Sequence, residues 1–296
     1  MSLSPEQKSI IKKSYKKNQS VKKISAKIKA EPGEVKKYIE TLEPLLSPQK
    51  KTVYRLILLL LPIIFLVLLE VLLRLFHYGG DLRLFITAGG EYKKFKICNP
   101  YVGKRYFMNQ VFVPDPPGDL FLKEKPANGY RIFVLGGSSA AGYPYHENLL
   151  FSRILQKRLS DAFPEKYIEI VNTAMAAINS YTLLDFMDEI LENQPDAILI
   201  YAGHNEFYGA LGIASAESLG KFRWGIKLYL KLKKYKTFLL LRDAINWLRN
   251  NLAKLFSDGS VTDPTATLME RLVAQQKIIY GSSLYDLGKQ QFKKNL

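Results

Sequence analysis

The sequence predicts an α/β domain, a parallel sheet covered by helices on both faces, joined through one transmembrane helix to a small all-α arm at its N-terminus. Three observations carry this expectation. Apolar, strand-like runs alternate with helical stretches across residues 130–205. A leucine-rich run over residues 54–76 has no polar stripe. The formal charge of +16 gathers in two segments: residues 1–55 hold 14 Lys/Arg against 5 Asp/Glu, and residues 218–256 hold 10 against 1. Such basic segments face anionic lipid, nucleic acid or water.

The arm, residues 1–48, reads as three short helices. Pro5–Lys17 has helical composition and is broken at Asn18-Gln19-Ser20. Ser20 suits the N-cap of a second helix, Val21–Ile28, and Pro32 suits the first turn of a third, Pro32–Leu42. Val21, Ile24, Ile28, Val35 and Ile39 would line one small core. The pattern resembles a homeodomain-like helix-turn-helix with Pro32–Leu42 in the recognition position. That helix offers mainly Glu31, Glu34, Lys36 and Lys37, a poor set for reading bases, so nucleic acid is not the expected partner. A solvated basic arm near a membrane surface is the competing reading.

Residues 53–76 form the expected span. As a helix, Val53–Leu75 reaches about 35 Å, enough for a ~30 Å hydrocarbon core. The thirteen Leu, Ile, Val and Phe of Leu56–Leu69 favour insertion by about 4–8 kcal/mol. Glu70 opposes this by about 2–3 kcal/mol at depth, and less near the interface. A cleaved signal peptide fits poorly, because its basic region would run past fifty residues. The basic N-terminal flank predicts a cytoplasmic N-terminus and an extracytoplasmic α/β domain.

Residues 79–129 are rich in glycine and proline (Gly79-Gly80, Gly89-Gly90, Pro114, Pro116, Pro117) and read as a spacer that packs on the domain 130–296. Tyr130–Leu135, Tyr167–Asn172 and Ala197–Tyr201 are the expected strands, with helices over Asn148–Phe163 and Leu183–Glu192 between them. Polar, Gly-rich residues follow each strand, at the sheet edge where ligands bind in open α/β folds. The lone Cys98 excludes an internal disulfide and reads as a small buried hydrophobe. His77, His146 and His204 are too scattered to suggest a metal site, and no cofactor is implied.

Three motifs follow the three strands in order: Gly136-Gly137-Ser138-Ser139-Ala140-Ala141-Gly142, then Asn172-Thr173-Ala174-Met175-Ala176-Ala177, then Gly203-His204-Asn205-Glu206. Together they resemble the first three blocks of SGNH/GDSL-type hydrolases, closest to a membrane-tethered bacterial branch. Gly137 stands for the usual aspartate, Ala177 for the usual oxyanion glycine, and Glu206 for the last aspartate. The resemblance implies a flavodoxin-like three-layer fold, and an ester hydrolase or acyl transferase acting on acylated lipid, glycan or peptidoglycan. It further implies Ser138 as nucleophile, with the backbone N–H groups of Ser138 and Ala177 and the amide of Asn205 as oxyanion donors. On physical grounds a Ser just past a strand and flanked by Gly exposes its Oγ at the sheet edge. Replacing Gly with Ala at 177 matters little for a backbone donor, unless the position needs φ > 0.

Competing readings stand beside these. The Gly136–Gly142 turn also suits phosphate cradling, although neither GxxxxGK[ST] nor GxGxxG is present. Asn205 also suits a turn that caps its own loop. His204 is expected to orient its neighbours and not to act as the base. The family's Asp-x-x-His does not occur in these 296 residues, so the expectation is a partial domain, inactive alone for want of its base. A non-catalytic binding or scaffold protein of the same fold is the alternative. Within the domain, the basic, aromatic-rich segment 219–256 suits an amphipathic helix pair on anionic lipid, or an insertion with a solvated basic face.

Overall fold

A computed structural model describes residues 3–17, 19–42, 48–107, 113–145, 149–216, 218–219, 221–256, 270, 273 and 277–296. The chain divides into two compact units, residues 1–69 and 70–296.

In the first unit, α1 (Pro5–Lys16), α2 (Val21–Ile28) and α3 (Pro32–Glu40) enclose a small core of Ile11, Ile24, Ile28 and Val35. Ser4 and Gln7 form a reciprocal capping box at the start of α1, which satisfies two backbone donors otherwise left open. Ser20 caps α2, and Lys29 closes it in the left-handed region at φ 50°. The next helix, α4 (Pro48–Leu75), holds a 24-residue stretch, Thr52–Leu75, whose most apolar 18-residue window has a mean hydropathy of 3.2, long and apolar enough to cross a membrane. Its side chains from Val53 to Leu68 are all exposed, as lipid-facing residues would be.

In the second unit a parallel sheet of β4 (Gly129–Gly136), β5 (Tyr167–Asn172) and β6 (Ala197–Tyr201) has the order β5-β4-β6. Helices α5 (Phe151–Ala162) and α6 (Ser180–Leu191) connect these strands. The period of two along β4 assigns the faces. Ile132 and Val134 pack with Ile168, Ile170 and the α5 residues Leu155 and Leu159. Phe133 and Leu135 turn the other way, into a core with Phe186 and Ile190 of α6. Strand β6 is the least covered, with Leu199, Ile200 and Tyr201 all exposed.

Where the sequence shows a spacer, residues 79–129 contain a second sheet, antiparallel, of β1 (Phe85–Thr87), β2 (Phe95–Cys98) and β3 (Leu120–Leu122). Strands of three or four residues are too short to display an alternation in sequence. Phe85, Cys98 and Phe121 from this sheet enter the same core as Phe133. Burial places Cys98 in that core and raises its thiol pKa well above the ordinary range.

Two buried charge clusters lock the layers. Arg131 of β4 stands in register with Glu169 of β5 and pairs with it at 2.7 Å, both nearly inaccessible to solvent. The Arg131 guanidinium also donates to the carbonyls of Asn193 and Leu122, and Glu169 accepts from the Leu122 N–H, which ties β3 to the central sheet. Elsewhere Arg105 pairs with Asp185 at 3.1 Å and with Glu189, while Lys233 also meets Asp185. Burial is the largest influence on Lys233 and lowers its pKa to about 7.

The chain ends through α7 (Arg223–Leu232), α8 (Lys236–Phe256) and α9 (Ser283–Asn295).

Candidate functional site

The carboxyl ends of β4, β5 and β6 bring the three sequence motifs to one rim of the sheet. The turn after β4 is tightly wound: the N–H groups of Ala140 and Ala141 both donate to the Gly137 carbonyl at 3.0 Å. Ser138 sits half-buried in this turn and Ser139 is exposed. Gly136 is required by its close approach to backbone, and Gly137 lies against the ends of two side chains. A Cβ on Gly136 would lie 2.2 Å from the Tyr201 carbonyl oxygen. A Cβ on Gly137 would lie 2.9 Å from Asn205 Nδ2 and 3.5 Å from His204 Nε2. Gly137 therefore leaves room for the loop after β6 to close over the turn after β4.

The loop after β5 is bound to the same turn. Asn172, fully buried, donates through Nδ2 to the Ala140 carbonyl (2.8 Å) and to Ser152 Oγ (3.2 Å), and its own N–H donates to Asp119 Oδ2 (2.8 Å). The Met175 N–H donates to the Gly136 carbonyl at 3.1 Å. Ala177 adopts φ +57°, so this is a position where glycine would be the unstrained choice. The left-handed region costs an L-residue about 1–2 kcal/mol. The Ala177 carbonyl accepts from the Ala210 N–H at 2.7 Å, which helps to hold the loop in that conformation.

Asn205 is 7 % exposed, and its Nδ2 has no hydrogen-bond partner among the described residues. A buried amide left open costs about 1–3 kcal/mol, so such a group is a candidate to receive a ligand. His204 beside it is exposed, with its imidazole against Gly137. His146 lies outside the described residues. Among the described residues no group of three or more His, Cys, Asp or Glu could hold a metal ion. A half-buried serine, an open amide and an accessible imidazole thus stand at one rim.

Glu206 has a part that the sequence did not disclose, where it stood only as a departure from aspartate. Its carboxylate accepts from the Ser180 N–H (3.0 Å) and Ser180 Oγ (2.7 Å), at the first turn of α6. Asn295 of α9 donates to the same Ser180 Oγ at 2.9 Å. Glu206 thus anchors the loop that carries Asn205 to the N-terminus of a helix, where a carboxylate is favoured. The available signal was an acidic residue closing the motif, three positions beyond Gly203. Asp119 was missed too. It pairs with Arg153 at 2.5 Å and orients the Asn172 backbone, but it lies in the segment read as spacer.

Burial raises Glu206 to a pKa of about 7, from 4.5. The folded chain therefore holds a proton that the unfolded chain releases, and stability from this group is complete below pH 4.5 and falls as pH rises through about 7. A shift of this size corresponds to about 3 kcal/mol. Glu206→Gln is expected to flatten the decline in denaturation midpoint across that window. Lys233, depressed from 10.5 to about 7, acts only above it. An unchanged slope in the variant would remove Glu206 as the cause.

No family model matches this chain, and no curated protein or solved structure is similar to it.

Proposed function

We propose that this chain is a membrane-anchored serine ester hydrolase or acyl transferase of the SGNH type, with its α/β domain outside the cytoplasm. The observation that carries the reading is the buried, unpartnered amide of Asn205 beside the Gly-rich turn that bears Ser138. The strand order β5-β4-β6, second-first-third in sequence, is the order in which flavodoxin-like sheets begin, and ligands bind at its switch point. The basic flank before α4 supports a cytoplasmic N-terminus.

In this mechanism Ser138 Oγ attacks the acyl carbon, and its proton passes to an imidazole. The carbonyl oxygen becomes an oxyanion and accepts from Asn205 Nδ2 and from backbone N–H groups of the Ser138 turn and the Ala177 loop. The C–O bond of the leaving alcohol then breaks, the imidazole returns the proton to that alcohol, and an acyl-Ser138 remains for water or a second alcohol to attack. The imidazole beside the turn is that of His204, which the sequence reading casts as an orienting residue. Acylated lipid, glycan or peptidoglycan at a membrane surface fits the anchorage.

A fluorophosphonate probe tests this on the full chain. Slow labelling confined to Ser138, absent in Ser138→Ala and slowed at least tenfold (about 1.4 kcal/mol) in His204→Ala, is the expected result. Labelling that survives Ser138→Ala removes the nucleophile. A Ser138 that never reacts, beside an intact fold, favours the non-catalytic binding protein.

A further inference from the structure

α8 carries an apolar stripe on the side opposite its packed face. Leu241, Ile245, Leu248 and Leu252 follow one another at spacings of four, three and four residues, and each is exposed by 45–57 %. Such spacing confines them to one face of the helix. Leu239, on the opposing face, is 2 % exposed and belongs to the domain interior. The preceding helix α7 adds exposed Trp224 and Leu228, four residues apart. Around these lie the exposed cations Lys227, Lys231, Lys234 and Arg249.

An independent observation says what covers this face. The first turn of α8 is capped by Glu70 of α4, whose carboxylate accepts from the N–H groups of Lys236 (3.1 Å) and Thr237 (2.8 Å). Arg74 completes the clamp: it pairs with Glu70 at 2.7 Å and donates to the Lys234 carbonyl at 3.2 Å. Glu70 lies five residues before the end of the apolar stretch Thr52–Leu75, which is about 7.5 Å along a helix. The start of α8 is therefore fixed at the depth where hydrocarbon gives way to headgroups.

We propose that the α7–α8 hairpin docks in the anionic interface of the bilayer that α4 crosses, with Leu241, Ile245, Leu248 and Leu252 facing the acyl region and the surrounding Lys and Arg facing phosphate. Apolar burial and attraction of cations to anionic lipid act together in such helices. The proposal requires α4 to span a bilayer and is independent of Ser138.

The test uses the full chain in nanodiscs, with an environment-sensitive fluorophore on Leu248→Cys and, as control, on Glu192→Cys, an exposed site after α6. Cys98 is buried and leaves the unsubstituted chain as the blank. The fluorophore at 248 is expected to be quenched by spin-labelled lipid at least threefold more than at 192, more strongly in anionic than in neutral discs. Ile245→Glu in the Leu248→Cys background should abolish the difference while the Ser138 labelling rate stays unchanged. Equal quenching at 248 and 192 overturns the proposal. So does a site at 248 shielded from aqueous iodide but untouched by lipid quencher, because protein would then cover the stripe.

Discussion

Arg131→Ala is expected to destabilise the α/β domain by about 3–5 kcal/mol, a large share of the roughly 5–15 kcal/mol that keeps an ordinary domain folded. The reason is what remains. Glu169, 6 % exposed, would be left inside the domain without its ion-pair partner, with the Leu122 N–H as its remaining donor among the described residues. The carbonyls of Asn193 and Leu122 would lose the guanidinium as well. Arg131→Met combined with Glu169→Leu removes both charges and keeps the volume, so it should recover most of the loss, short of the two open carbonyls. Urea unfolding of the single and double variants measures this as a coupling energy. Additive losses would show that the pair is not coupled, contrary to its register and geometry. Glu169→Ala should be as damaging as Arg131→Ala, since it strands the opposite charge.

Asn205→Ala is expected to slow fluorophosphonate labelling of Ser138 by about 10²–10³-fold, or 2.7–4 kcal/mol, the usual effect of removing one oxyanion donor. The fold should not suffer. Asn205 Nδ2 has no partner among the described residues, so its removal strands nothing, and the melting temperature should hold or rise. Asn172→Ala makes the contrast. That side chain bridges Ala140 and Ser152 and accepts from the Ala174 N–H, so its loss should lower stability and labelling together. A rate unaffected by Asn205→Ala would assign the open amide to some role other than oxyanion binding.

The parts of this fold that are legible in the sequence are those with a strong local period. Tyr167–Asn172 and Ala197–Tyr201 match their strands residue for residue, because short β-branched and apolar runs bounded by turn residues define a strand. Pro5 and Pro32 mark two helix starts for an equally local reason. The strands within 79–129 are not legible, since three residues between glycines and prolines carry no period. Arg131 and Glu169 look like interruptions of apolar strands, and only their parallel register makes them a pair. At the candidate site, Ser138, Ala177 and Asn205 stand out as motif positions. Glu206 is a motif position as well, but its anchoring contact is not legible, because its partner Ser180 arrives from another element 26 residues away. The φ of Ala177 is a property of the loop and of the Ala210 contact that holds it, and no residue type announces it.

The left-handed Ala177 has a consequence for how the site meets a ligand. A loop that holds an alanine at φ +57° does so against its own conformational preference. Its neighbours, the Ala210 N–H among them, must therefore outweigh that preference. The loop is in this respect a finished mould: its backbone takes up its orientation during folding, and the oxyanion of the proposed reaction would find little left to reorganise.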